Sequence, residues 1–148
     1  VALRALSPGI NDPNTAIAAI DRLARSMALV MTRRTLPETI RDAGGRLRVV
    51  RPVSTFAGFM DAAFNQIRQA GESKPSILIR QLEALAALAT LAPTEEHRRQ
   101  CAVHAAMILA AGRRCIPEPR DLLAVEAAYD TVAVELRTAG FPADDAGR

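Results

Sequence analysis

The sequence predicts an all-α fold: a bundle of about five main helices, joined by short loops, with one short strand-like segment. Three observations carry this. Hydrophobic residues make up 49% of the chain but aromatic residues only 3%, so the core must be built from Ala, Leu, Ile, Val and Met. Alanine is the best helix former and a poor strand former. Apolar residues also recur at helical spacing between Pro and Gly breakers along most of the chain.

The elements follow in order. Asp12-Pro13 reads as a helix start, a carboxylate at the N-cap followed by Pro with its φ preset. Ile17, Ile20, Ala24, Met27 and Met31 continue that helix to about Arg34, with Asp21 and Arg25 as an i,i+4 surface pair. Leu36-Pro37-Glu38 is expected to open a short helical turn that Gly44-Gly45 ends. Arg46 to Pro52 alternates charged and apolar residues and is the strand-like stretch, with Leu47 and Val49 directed at the helices. A strand needs a partner. Either a short extended piece near Ile116 supplies it or the partner lies outside the chain, in an upstream domain or a second copy; Pro117 and Pro119 spoil the internal candidate as a donor and favour the outside partner.

Ser54 or Thr55 then caps a helix with Phe56, Phe59, Met60, Ala63, Phe64 and Ile67 on its buried face, and Gly71 stops it. Ser73-Lys74-Pro75 opens the next, striped with Ile77, Leu78, Leu82, Leu85, Leu88 and Ala89 and broken by Pro93. Thr94 caps a further helix, with His97 where a capping box would place Glu, running to about Gly112 with Arg113 and Arg114 at its negative end. Pro117-Glu118-Pro119 starts the last helix, buried along Leu122, Val125, Tyr129, Val132 and Leu136 and stopped by Gly140. Residues 1–140 are therefore expected to form a single helical domain, with 141–148 a flexible tail from which only Phe141 tucks back.

Composition narrows the function classes. Net charge is +3 and the pI near 9.5, but the arginine doublets 33–34, 98–99 and 113–114 are scattered, and stacking aromatics are scarce. This argues against a nucleic-acid surface. Two cysteines make no disulfide framework. The longest uncharged stretches, Ala84–Thr94 and Gln100–Gly112, fall short of the ~20 residues a bilayer span needs. The chain opens on an apolar phrase, Val1-Ala2-Leu3, and reads as a piece of something longer. No phosphate-binding, nucleophile-elbow or zinc-protease motif is present and no cofactor is implied, so the expectation is a protein that is not an enzyme.

Two constellations are candidates for chemistry. His97, Cys101 and His104 stand at i, i+4 and i+7 on one helical stripe, a spacing and donor set that suits a borderline metal such as zinc. The alternative is that Cys101 fills the core, His97 is exposed and His104 is half-buried. Ser7, Asn11, Asp12 and Thr15 crowd one helix N-terminus, where free backbone N–H groups can hold an anion. The local alternative uses the same side chains as turn and cap partners.

The phrase from Arg4 to Ala16, followed by Ile20-Asp21-Arg22-Leu23, resembles the hallmark of DUF2254, a bacterial family of predicted integral membrane proteins of unknown function. Thr55-Phe56 with Ala63-Phe64-Asn65-Gln66-Ile67-Arg68 is similar to that family's motif ending in Gln-Ile-Arg, and helix 78–91 and the region of Ala102, His104 and Ala105 add to the likeness. Asn14 departs from it, standing where members often carry a bulkier residue. The resemblance covers most of residues 1–140. It implies the C-terminal soluble part of a longer protein, at the cytoplasmic face of the inner membrane, whose multi-span region and small middle domain come first. Those missing parts, and a second copy, are the partners it implies; it supplies no activity, cofactor or catalytic residue. The expected function is a non-enzymatic interaction or assembly domain. The alternatives are a small-anion sensor regulating the membrane part, or a metal- or nucleic-acid-binding module.

Overall fold

The computed structural model describes residues 1–33 and 37–141. Among them are six helices and one two-stranded antiparallel sheet: α1 (Ala2–Ala5), α2 (Pro13–Met31), β1 (Thr39–Arg41), β2 (Leu47–Val50), α3 (residues 56–70), α4 (Pro75–Leu91), α5 (Glu95–Cys115) and α6 (Pro119–Thr138). The expected end of the first helix at Arg34, the expected turn at Leu36 and the tail 142–148 lie outside the described residues.

Helix α4 is the centre of the bundle and packs against α2, α5 and α6. Its stripe is fully buried: Ile77, Leu78, Leu82, Leu85, Leu88 and Ala89. Helix α2 contributes Ala16, Ile20, Met27 and Met31, α5 contributes Cys101, Ala105 and Ile108, and α6 contributes Val125, Val132 and Leu136. Small residues let the helices approach closely. A Cβ on Gly112 would stand 3.3 Å from Val125 Cγ1 and 3.4 Å from Leu78 Cδ1. Gly112 is therefore the point where α5 presses on α6 and α4, not the stop that the sequence suggests, and α5 runs on to Cys115. Gly140, by contrast, is a true terminator at φ +81°, and beyond it Phe141 is buried with its N–H donating to Leu136 O.

Capping explains the helix starts. Asp12 accepts from Thr15 N–H, Thr55 from Gly58 N–H and Thr94 from His97 N–H, while Pro13, Pro75 and Pro119 occupy the first turns of α2, α4 and α6. Asp21, expected beside Arg25, instead accepts from Arg80 of α4, which also reaches Glu83. That bond ties α2 to α4, and Arg113 to Glu126 ties α5 to α6 in the same way.

Two further regions differ from expectation. Residues 39–41 form a strand, not a helical turn, so the fold carries a hairpin where a single strand-like segment was expected. The strand's partner is internal: Thr39 pairs with Val50, Ile40 with Val49 and Arg41 with Leu47. Gly44-Gly45 belong to the connecting turn. Asp42 Oδ1 accepts from Gly44 and Arg46 N–H, and Gly45 takes φ +78°, which glycine adopts freely. Leu47 and Val49 do not pack on the helices; every residue of both strands is exposed. The second correction concerns α3. Met60, Ala63, Phe64 and Ile67 are buried as expected, but Phe59 is 41% exposed, and residues Asp61–Asn65 wind as a π-helical turn.

Candidate functional site

The turn before α2 is closed by its own groups. Ser7 Oγ donates to Arg4 O at 2.8 Å, Asn11 N–H donates to Ser7 O at 2.9 Å, and Asp12 N–H donates to Ala5 O at 2.8 Å. Asp12 Oδ1 accepts from Thr15 N–H at 3.1 Å, and Oδ2 accepts the Thr15 hydroxyl. The Thr15 hydroxyl, then its N–H, hold the Asp12 carboxyl below the usual carboxylate range. Asn11 sits in the left-handed region at φ +46°, and its Oδ1 accepts from Lys74, the only lysine, at the start of α4. An anion at this N-terminus would have to displace a carboxylate already bound there. Asp12→Ala is expected to lower the denaturant midpoint; an unchanged midpoint contradicts the cap.

The three residues of the α5 stripe meet different surroundings. The His97 ring lies against Phe56, centroids 4.3 Å apart, with Nδ1 beside Thr94 Oγ1. Cys101 is fully buried, and burial pushes its thiol up to about 12, so it is a neutral apolar filler at physiological pH. His104 is 1% exposed, beside the Phe64 ring at 6.1 Å. No group of three or more His, Cys, Asp or Glu side chains among the described residues is arranged to hold a metal ion.

His104 does meet a carboxylate, on α3. Its Nε2 is 3.5 Å from Asp61 Oδ1, an oxygen that also accepts from Asn65 Nδ2 at 2.7 Å. Asp61 and Asn65 bound the π-helical turn, so the motif Ala63 to Arg68 falls on that turn and the one after it. Such turns recur at functional positions. Sequence reading missed this grouping because a π turn inside an apolar stripe has no periodicity of its own, and Asp61 is remote from His104 in sequence. Chemically, the arrangement is a buried neutral imidazole with a surface acid at its edge. Burial lowers the pKa of both His97 and His104; Asp61 opposes this at His104 and Glu96 at His97.

A lowered folded pKa means that the unfolded chain binds more protons in mild acid. This contribution to stability is complete above the unfolded imidazole value of about 6.5 and is lost as pH falls through it towards the folded values. Asp12, Asp21 and Glu96 are also lowered, adding a further loss below about pH 4. Thermal melts from about pH 8 to pH 5 should show a falling Tm; a flat or rising one contradicts the burial of His104 and the partial burial of His97.

Gln81 is a second buried polar group. It is fully buried at the centre of α4, and neither atom of its amide has a hydrogen-bond partner among the described residues. An unpaired buried amide is costly. Gln81→Leu is expected to stabilise the fold by about 1 kcal/mol in urea titration; a loss of stability would mean that the amide is bonded in solution.

Comparison with known proteins places this architecture. The family model described as "Predicted membrane protein (DUF2254)" matches residues 1–87, which span the turn before α2, the hairpin, the π-helical turn and most of α4. Uncharacterized proteins of Mycobacterium tuberculosis and Mycobacterium bovis are 33% identical over 122 residues, covering 82% of this chain. The chain belongs to the DUF2254 family of predicted membrane proteins. It spans about a quarter of the length of those relatives, 23% of each. None of the helices among the described residues is long and apolar enough to cross a membrane. No solved structure gives a significant match.

Proposed function

We propose that this chain is a non-enzymatic interaction and assembly domain of a bacterial integral membrane protein, held at the cytoplasmic face of the inner membrane. Its first partners are the other segments of the same protein, since the chain spans 23% of its relatives' length. A second copy is the other partner. One observation carries the interaction half of the reading, a contact made outside the bundle. The core is closed by six helices, yet the hairpin leaves Ile40, Leu47, Val49 and Val50 between 44% and 63% exposed. Ile40 and Val49 stand opposite each other across the two strands, and an exposed apolar pair of this kind marks a contact site. The non-enzymatic part is supported by the state of the reactive side chains: Cys101 is covered and neutral, His104 is covered, and Asp12 is engaged with Thr15.

Two differently tagged copies of the full-length protein, expressed together in a bacterial membrane, test this. Co-purification that is lost when residues 1–148 are deleted supports the reading; co-purification that survives the deletion overturns it. Orientation is read by placing a cysteine at Leu123, an exposed position of α6. An impermeant maleimide should label it in inverted membrane vesicles and not in intact spheroplasts.

A further inference from the structure

The hairpin has a composition of its own. Ile40, Leu47, Val49 and Val50 are interspersed with Arg41, Arg46, Arg48 and Arg51 within residues 39–51. Both strands are exposed throughout, so none of these apolar groups is core for the bundle. A two-stranded hairpin is marginal without a surface to lie against. One acid stands against these four arginines, and it is internally spent: Asp42 Oδ1 accepts two backbone N–H groups and Oδ2 pairs with Arg48 at 2.7 Å, which leaves three guanidiniums without a carboxylate inside the hairpin.

We infer that the hairpin docks on an anionic lipid surface, its Ile, Leu and Val side chains in the headgroup boundary and its arginines on lipid phosphates. The inference rests on the reading of this chain as part of a membrane protein. Charge selects the occupant. A second copy would bring four arginines against four arginines, and the strands are three and four residues long with a register break between Ile40 and Arg41, a poor template for strand addition. An acidic peptide would pair with the arginines but leave the apolar groups wet. A bilayer interface is anionic at its surface and apolar just below it, which matches both halves of the hairpin. The chain has no helix of its own among the described residues to enter a membrane, so any contact it makes there must be made from the surface.

Sedimentation of the 148-residue chain with vesicles tests this, using phosphatidylcholine alone and an equimolar mixture with phosphatidylglycerol. The chain should bind the mixed vesicles and not the neutral ones, and less well as salt rises. Arg46→Gln with Arg48→Gln should weaken binding about twenty-five-fold, the product of about fivefold for each arginine, and Lys at both positions should preserve it. Leu47→Gln with Val49→Gln should abolish the part of the binding that survives high salt. All of these positions are exposed, so the variants should melt with the wild type. Equal binding to both vesicle types, or undiminished binding by the glutamine variants, overturns the inference. So does tight binding to soluble polyglutamate without vesicle binding, which would assign the hairpin to an acidic protein, or a hairpin-dependent dimer. If vesicles fail but tagged full-length copies still co-purify through this chain, the docking inference alone falls.

Discussion

Replacing Phe64 with alanine is expected to destabilise the protein by ~3–5 kcal/mol, the largest effect of any single truncation considered for this fold. Phe64 is the largest fully buried side chain, 1% exposed, and lies in the π-helical turn against the His104 ring. Alanine would leave a cavity at the junction of α3 and α5 that the neighbouring rings could fill only by moving. At ~2–4 °C per kcal/mol for a domain of this size, the Tm should fall by roughly 10 °C. Phe59→Ala is the matched control. It removes the same atoms from a half-exposed site five residues earlier and should cost well under half as much. Equal losses at the two positions would show that the buried face of α3 is misplaced.

A second large effect is expected from adding one methyl group. Gly71 ends α3, is buried, and has φ near −112°, which alanine adopts without strain. The obstacle is steric. A Cβ there would stand 2.5 Å from Ile77 Cγ2, 3.0 Å from Ile77 Cβ and 3.1 Å from Ile67 O. Gly71→Ala must push α3 away from the first turn of α4, at ~1–3 kcal/mol. Combining it with Ile77→Ala removes the clashing Cγ2, so the double variant should lose less than the sum of the two single losses. Strict additivity would mean that the two residues do not meet.

These two positions show what was legible in the sequence. The stop at Gly71 was readable, because Gly after an apolar stripe followed by Ser-Lys-Pro allows little else. Its role as the contact with Ile77 was not, since that depends on how α3 turns into α4. The same ambiguity misled at Gly112, where a glycine after an apolar run reads as a terminator but is a packing point against Val125 and Leu78. Helices α2, α4, α5 and α6 were legible because their starts, set by a capping side chain or by Pro in the first turn, agree with their apolar stripes. The hairpin was half legible. Leu47–Val50 alternates over enough residues to show, whereas Thr39–Arg41 is three residues long, too short to display a period, and follows a Pro-Glu pair that imitates a helix start. Its apolar residues are exposed, so a pattern read as burial against the helices was in fact an outward surface.

The candidate site divides in the same way. The bond from Thr15 N–H to Asp12 is local and follows from residue types three apart. The contact of Asn11 with Lys74, and of His104 with Asp61, is made by tertiary packing between segments far apart in the chain. The stripe of His97, Cys101 and His104 was visible as a spacing, but whether such residues converge depends on what faces them. Here Phe56 and Thr94 face His97, while Asp61 and Phe64 face His104.

The most direct test of the interaction and assembly role is native mass spectrometry of the full-length membrane protein, released from detergent, beside a version lacking residues 1–148. The role predicts a defined assembly of more than one subunit, or of the protein with a partner, that the shortened version does not form. A full-length protein that is monomeric and partner-free under conditions that preserve other membrane complexes, or an identical assembly from the shortened version, would contradict it.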